Sequence, residues 1–269
     1  MLIKDVKCPN CETYHDPTLR KCPSCHKNNE LFALNRLPKR VLFLHPMAQV
    51  GLFLIGFSYI GMLIAEIIFA LVLRGMPSDL LKTTLMLTLV YGAMFLGLCS
   101  IPLFTRRKEL FDKYKSGIDY LYGLAYAITI ICIGTVIGAL VSLFYNSQDN
   151  VNQTVAIEIS TGYPILAFFV LGFLGPICEE LTYRVGLYSF LRRINKYLAF
   201  AVTIVIFALI NFEFMADDIV NELWSLPSYI ISGFLLTLAY EHRGPACSMT
   251  AHITYNIFAF ILILVQNNG

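Results

Sequence analysis

The sequence contains few charged residues: only 14% of its 269 residues are Asp, Glu, Lys or Arg. Soluble domains carry about a quarter of such residues, so the chain has too little charge to cover a water-exposed surface. Hydrophobic residues make up 57% of the chain, and the mean hydropathy is +0.66. These residues occur in runs close to the roughly 20 apolar residues that cross a bilayer. The composition excludes an ordinary soluble protein and predicts a polytopic all-α protein embedded in a lipid bilayer.

Seven apolar runs follow a polar N-terminal segment. The fifth and sixth are short for complete spans, so tilt and re-entrance remain open for these two. We predict spans near 47–73, 80–104, 118–145, 164–190, 198–213, 225–240 and 246–265.

The positive charges are distributed unequally between alternate loops. Seventeen Lys and Arg residues lie in the N-terminal segment or in the loops after spans two, four and six, whereas the other loops hold two. Loops rich in Lys and Arg stay in the cytoplasm. The distribution therefore predicts a multi-pass protein of the cell membrane with a cytoplasmic N-terminus and an external C-terminus.

Four cysteines in the polar N-terminus form two CxxC pairs, Cys8-Pro-Asn-Cys11 and Cys22-Pro-Ser-Cys25. Four thiolates in this spacing can surround one tetrahedral zinc ion in a closed structural site. A redox dithiol and a metal-free tail are the alternatives. We predict a zinc ribbon that stabilises the segment or docks a cytosolic protein. The segment lacks the interleaved aromatic residues of a nucleic-acid surface, so no nucleic-acid partner is inferred.

Span four contains three charged residues, Glu179, Glu180 and Arg184. Charges at membrane depth are costly and usually mark a functional site. Glu180 and Arg184 are four residues apart on a helix and can form an ion pair. Glu179 points about 100° away and lacks such a partner, so it is the candidate for proton transfer. The alternative is that all three lie near the cytoplasmic end of the span and reach water.

Other polar residues lie in or next to apolar runs. His252 and Asn256 share one face of the last helix, and both can donate hydrogen bonds to a developing oxyanion. Asn211 ends span five and by itself indicates only the end of a helix. Glu66 lies in the first span, where a structural and a functional role are both open.

Three segments occur in order within the predicted helices: Glu179-Glu180-Leu-Thr-Tyr-Arg184, Phe207-Ala-Leu-Ile-Asn211 and His252-Ile-Thr-Tyr-Asn256. They resemble the motifs Glu-Glu-xxx-Arg, Phe-xxx-His and His-xxx-Asn/Asp of the intramembrane proteases of the CAAX-processing and bacteriocin-processing family. The resemblance covers about 160–265. It divides the chain into a ribbon at 1–35, a linker at 36–46, three accessory helices at 47–145 and a four-helix protease-like core at 160–265.

The resemblance implies an intramembrane endopeptidase that cleaves a membrane-associated peptide or protein. Glu179 would then activate water as a general base, while the motif-two residue holds that water. His252 and Asn256 would stabilise the oxyanion, and Glu180 with Arg184 would orient the site. Members of the family have been described as metalloproteases, but these residues suit a glutamate-activated water, so we predict no catalytic metal.

Asn211 departs from the second motif, in which the family has histidine. Asparagine can orient water but does not exchange protons near neutral pH. Three explanations are open: Glu179 works alone, the chain is a catalytically impaired relative that serves as a membrane adaptor or regulator, or the sequence carries an inactivating substitution. A transporter that uses the buried carboxylates for protons is a further alternative, although no repeated half supports it.

Overall fold

The computed structural model describes residues 5–16, 19, 21–27, 46–76, 78–105, 113–145 and 149–267. The predicted linker lies outside these residues except for its last position. The chain is a polytopic all-α membrane protein, as predicted, with a small cysteine-rich N-terminal region. Six described helices are long and apolar enough to cross a membrane.

The described residues form one two-stranded antiparallel sheet and eight helices. The elements are β1 (Val6–Lys7), β2 (Tyr14–His15), α1 (Pro46–Gly56, Phe57–Gly61 and Met62–Val72 in succession), α2 (Asp79–Thr105), α3 (Gly117–Phe144), α4 (Val151–Gly162), α5 (Pro164–Phe169, Val170–Leu174, Gly175–Glu179, Glu180–Tyr188 and Ser189–Arg192 in succession), α6 (Lys196–Ile210), α7 (Ile219–Arg243) and α8 (Pro245–Asn267). Phe57–Gly61, Val170–Leu174 and Glu180–Tyr188 are π-helical.

Helix α6 corresponds to the fifth predicted span and is short, as its short apolar run indicated. It has 15 residues, which corresponds to about 22 Å at 1.5 Å per residue, less than the roughly 30 Å of a hydrocarbon core. Asn195 begins the helix because its side chain accepts hydrogen bonds from the backbone N–H groups of Tyr197 and Leu198. The other six predicted spans correspond to α1, α2, α3, α5, α7 and α8.

Two features differ from the predicted spans. Helix α7 has 25 residues, so the expectation that the sixth span is short was wrong; the Asp218 side chain caps the helix well before its apolar run. Helix α4 was not predicted because its sequence is polar. Asn150 and Gln153 form a capping box at its start, and this Asn-x-x-Gln spacing is the sequence signal that could have revealed it.

Helix α1 lies against the C-terminal half of α5, the helix that carries the two glutamates. Their backbones approach so closely that a Cβ on Gly51 would lie 3.0 Å from the carbonyl oxygen of Gly186. Small residues permit such contact between membrane helices. Ser58 of α1 also hydrogen-bonds Thr182 of α5 at 2.5 Å between their hydroxyl oxygens. The accessory helix therefore supports α5 directly beside the glutamates.

Ionic contacts join the helices at the end of α5 that follows the motif. Glu241 of α7 binds Arg192 at 2.9 Å and Lys196 at 3.0 Å. The N-terminal sheet region reaches the same end, where Asp16 forms an ion pair with Arg193, and both side chains are buried. The cysteine-rich region therefore contacts the helical core through this ion pair.

Candidate functional site

The centre of the candidate site is an ion pair within α5. Arg184 Nη1 lies 2.9 Å from Glu180 Oε1, and the two side chains are 0% and 1% exposed. Arg184 also donates from Nη2 to the carbonyl oxygen of Gly233 at 3.4 Å and lies 4.4 Å above the ring centre of Phe207. The ion pair predicted from the sequence is present. Arg184 also joins α5 to α6 through Phe207 and to α7 through the Gly233 carbonyl.

His252 of α8 contacts both glutamates. Its Nδ1 lies 3.0 Å from Glu180 Oε1, and its Nε2 lies 3.9 Å from Glu179 Oε2. When Glu180 is ionised, the first contact is a hydrogen bond that the carboxylate accepts from Nδ1. The second is too long for a direct hydrogen bond. Glu180 therefore fixes the orientation of the imidazole, and Nε2 faces Glu179.

Glu179 is the more accessible of the two carboxylates. Its side chain is 26% exposed, whereas that of Glu180 is 1% exposed. Among the described residues, its closest ionic contact is the 3.9 Å approach to His252. Glu180 is held by two partners, and Glu179 remains available to a small molecule such as water.

Asn256 lies one turn beyond His252 and contacts the backbone of α5. Its Nδ2 donates to the carbonyl oxygen of Leu171 at 2.9 Å. In α5 the N–H of Gly175 bonds to Val170, and Pro176 has no N–H, so the Leu171 carbonyl lacks a donor from its own helix. The amide of Asn256 satisfies this carbonyl and fastens α8 to α5 about two turns before Glu179.

Asn211 lies at the end of α6, where its side chain and its backbone carbonyl each form one hydrogen bond. Its Nδ2 donates to the carbonyl oxygen of Phe207 at 2.8 Å. Its own carbonyl oxygen accepts from Nδ2 of Asn152 in α4 at 2.7 Å. Within the described residues, Asn211 has no hydrogen bond to Glu179 or His252. The motif-two residue that contacts the ionic cluster is Phe207, whose ring centre lies 6.1 Å from that of His252.

Two contributors to the site were not found from the sequence. The carbonyl oxygen of Gly233 carries no side-chain signal and lies 49 residues from Arg184. Tyr183 packs edge-on against Phe207 with 5.8 Å between ring centres. Its position four residues after Glu179 was a helical-spacing signal that could have placed it near the site.

The four N-terminal cysteines lie together as a candidate metal centre. Their sulfur atoms are all within 4.8 Å of one another, and the Cys8–Cys25 and Cys11–Cys22 sulfur distances are 3.7 and 3.6 Å. Four sulfurs at about 2.3 Å from a tetrahedral zinc ion are roughly 3.8 Å apart. The arrangement therefore fits a metal ion of the size and geometry of zinc.

The two CxxC turns have the same backbone shape. Glu12 and His26, which follow the second cysteine of each pair, have φ values of 59° and 57°. Each donates its backbone N–H to the backbone carbonyl oxygen of the first cysteine of its pair at 2.9 Å. Hydrogen bonding with Thr13 lowers the pKa of the Cys11 thiol to about 6, which favours the thiolate that binds metals, whereas burial raises the pKa of the Cys22 thiol to about 11. Sequence spacing indicated the four ligands but not these left-handed residues.

Comparison with known proteins supports the motif assignment. Residues 161–258 match the family described as Type II CAAX prenyl endopeptidase Rce1-like. The chain is 24% identical over 188 residues to UPF0177 protein YvdC of Lactococcus lactis, covering 68% of each protein. It is 30% identical over 135 residues to UPF0177 protein YxdF of the same organism, covering 49% of this chain and 66% of that protein.

A third similar protein is an uncharacterized protein of Mycoplasma capricolum, 25% identical over 154 residues, covering 53% of this chain and 44% of that protein. No solved structure matches the chain significantly. The matched region 161–258 contains all three motifs. The resemblance to the family predicted from those motifs is thereby confirmed.

Proposed function

We propose that this chain, a member of the CAAX-processing and bacteriocin-processing family in its C-terminal region, is an intramembrane endopeptidase for a membrane-associated peptide or protein. The observation that carries the proposal is the difference in burial and bonding between the two glutamates. Glu180 is fully buried and bound by Arg184 and His252. Glu179 is accessible and faces the second nitrogen of the same histidine. A fixed histidine beside an accessible carboxylate is a suitable arrangement for activating water.

The charges of the cluster support a defined role for His252. Glu180 Oε1 lies 2.9 Å from Arg184 Nη1 and 3.0 Å from His252 Nδ1, so the buried carboxylate is paired on two sides, as a buried charge requires. An imidazolium at this position would donate a hydrogen from each ring nitrogen. One hydrogen is used by Glu180, and the other, on Nε2, points toward the region of Glu179, where it is available to an oxyanion.

The proposed reaction proceeds through a tetrahedral intermediate. Glu179 takes a proton from water as the water oxygen attacks the peptide carbonyl carbon, and His252 Nε2–H stabilises the resulting oxyanion. Glu179 then gives the proton to the amide nitrogen, the C–N bond breaks, and a carboxylic acid and an amine are released. In this proposal Glu180 and Arg184 position the imidazole, and Asn256 positions α8 against α5.

Proteolysis can be tested without knowing the natural substrate. The purified chain in phospholipid vesicles would be incubated with solubilised membrane proteins, and new peptide termini would be identified by mass spectrometry. Termini that accumulate with time and with protein concentration would support an endopeptidase. A complete lack of new termini across membrane proteins from several bacteria would count against it.

The alternative proposal is a catalytically impaired adaptor, which the asparagine at position 211 motivates. If Glu179 works without a second base, Asn211→His should change the cleavage rate by less than about tenfold, because the Asn211 amide is occupied by the Phe207 carbonyl. A general base contributes roughly 10²–10⁴-fold. A gain of that size in Asn211→His, absent from Asn211→Gln, would instead support the impaired-enzyme alternative. Cleavage rates of the three proteins on one peptide decide between the two.

We also propose that the N-terminal cysteines bind one structural zinc ion. Metal analysis of the purified chain should give about one zinc per protein, the stoichiometry of a four-thiolate site. Cys8→Ser combined with Cys11→Ser should remove it, because two ligands cannot hold the ion in a closed site. Cys132→Ser, which changes an exposed cysteine outside the cluster, is the matched control and should retain zinc. Wild-type protein purified without chelators and free of zinc would contradict the proposal.

The Lys and Arg distribution supports placing the ribbon, and the end of α5 that it contacts, in the cytoplasm. Thiols stay reduced there, which favours metal binding over disulfide formation. The contact between Asp16 and Arg193 then ties the ribbon to the cytoplasmic end of the helix that carries both glutamates.

A further inference from the structure

Glu66 is a carboxylate within the first transmembrane helix, outside the three motifs. It lies in a span whose mean hydropathy is 2.2, where an ionisable side chain is costly and normally has a partner or faces a cavity. Within the described part of the chain, Glu66 has no ion pair and no side-chain hydrogen bond, unlike Glu180. Packing within the chain therefore does not account for this carboxylate.

Glu66 lines a groove between α1 and α2. The groove has a volume of about 370 Å³, on the order of a dozen water molecules at roughly 30 Å³ each. Among the residues that line the groove, Glu66 is the only charged one, and the others are apolar except for the hydroxyl of Tyr91. The lining residues are Met62, Glu66, Ile67, Ala70, Met86, Leu87, Val90 and Tyr91.

A groove that is apolar except for one carboxylate suits a lysine or arginine side chain. Lysine and arginine have apolar stems that pack on hydrophobic surfaces while the cationic head reaches a polar partner. An apolar groove with a single carboxylate offers both parts of that interaction. A purely apolar occupant would leave the Glu66 carboxylate unpaired, and an acidic one would add a repelling charge.

The groove adjoins the segment that carries the candidate base. Tyr91 forms part of its wall, and the Tyr91 carbonyl oxygen accepts a hydrogen bond from the thiol of Cys178 at 3.7 Å. Cys178 immediately precedes Glu179. The Tyr91 ring also lies beside Gly175, where a Cβ would be 3.8 Å from Cε1. An extended peptide held in the groove would therefore lie next to the turn of α5 that presents Glu179.

We propose that the Glu66 groove binds a lysine or arginine side chain of a membrane-inserted peptide and so selects substrates with a basic residue near the cleaved bond. The role in substrate selection rests on the proposed proteolysis, whereas binding of the cation does not. The proposal gives Glu66 a function in recognition and none in the chemical step.

The test uses two synthetic peptides with about 20 apolar residues each. They differ only at one central position, which is lysine in one and norleucine in the other, and both carry a photoreactive methionine analogue beside it. Each is inserted into phosphatidylcholine vesicles with the full chain and irradiated. Crosslinks to Met62 and Met86 are quantified by mass spectrometry, so binding in the groove is measured without cleavage.

We expect the lysine peptide to crosslink at least about fivefold more than the norleucine peptide, as a desolvated charge pair predicts. Glu66→Gln should reduce it to the norleucine level, whereas Glu66→Asp should keep most of the preference. Glu158→Gln, an exposed acid on α4, is the control and should keep all of it. Unchanged crosslinking of the norleucine peptide verifies that Glu66→Gln remains folded.

Equal crosslinking of the two peptides, or a lysine preference that survives Glu66→Gln, would overturn the inference. Loss of the preference on adding phosphatidylethanolamine would assign the groove to a lipid amine and overturn it as well. A Glu66-dependent preference, found together with a complete lack of new termini in the vesicle assay on membrane proteins, would contradict the endopeptidase proposal and leave the cation site standing, so the two failures are distinguishable.

Discussion

We expect Glu179→Gln to lower the rate of peptide cleavage by at least about 10²–10⁴-fold, the usual contribution of a positioned general base. Glutamine keeps the shape of the side chain but accepts no proton from water. Because Glu179 is the accessible carboxylate and Glu180 is held by two partners, no other described carboxylate near His252 is free to replace it. Initial rates on one membrane-inserted peptide in vesicles measure the effect.

Stability should hardly change in the same variant. The carboxylate of Glu179 approaches His252 only to 3.9 Å, so glutamine removes no short ion pair, and the unfolding temperature in detergent should match that of wild type. Glu158→Gln is the matched control for loss of one acid and should cleave at the wild-type rate. Equal cleavage by wild type and Glu179→Gln would show that Glu179 is not the base.

Local spacing predicted the contacts that occur within one helix. The four-residue separation of Glu180 and Arg184 was sufficient to predict their ion pair, since neighbouring turns bring such residues together. Hydropathy likewise located the long spans, because a bilayer sets the length of an apolar helix. The short α6 followed the same rule, with Asn195 and Asn211 at its ends.

Contacts between helices were not available from the sequence. His252 lies 72 residues from Glu180, and only the family resemblance indicated that the two belong to one site. The partner of Asn256 is a backbone carbonyl freed by the proline of another helix, and backbone groups carry no residue signature. Asn256 was assigned to oxyanion stabilisation, but in the structure one of its N–H groups is used by Leu171.

The contrast between Glu66 and Glu180 shows why membrane depth alone did not separate function from structure. Both are acids in apolar spans, and the sequence offered Glu180 a partner four residues away but none for Glu66. Whether an unpaired acid meets a neighbouring helix or a groove depends on how α1 and α2 pack, which hydropathy does not encode. The groove became visible only when the helices were placed side by side.

Arg184→Gln should cause the largest loss of stability among single changes at the site. Removing one member of a buried ion pair typically costs about 3–5 kcal/mol, because the remaining charge stays desolvated. Arg184 also contacts Gly233 and Phe207, so α6 and α7 lose a shared anchor. Residual pairing of Glu180 with His252 places the expected cost toward the lower end. Unfolding in mixed detergent, followed by circular dichroism, measures it.

The double variant Glu180→Gln with Arg184→Gln separates charge from packing. If the cost arises from an unpaired buried carboxylate, neutralising Glu180 as well should restore more than about 1 kcal/mol relative to Arg184→Gln, because pairs in one network are not additive. The same double variant should remain slow in cleavage, since His252 loses the carboxylate that orients it. Additive costs of the two single changes would contradict this account and assign the stability to the contacts of Arg184 with α6 and α7. Recovery of stability without recovery of cleavage would identify Glu180 as the residue through which the ion pair orients His252 toward Glu179.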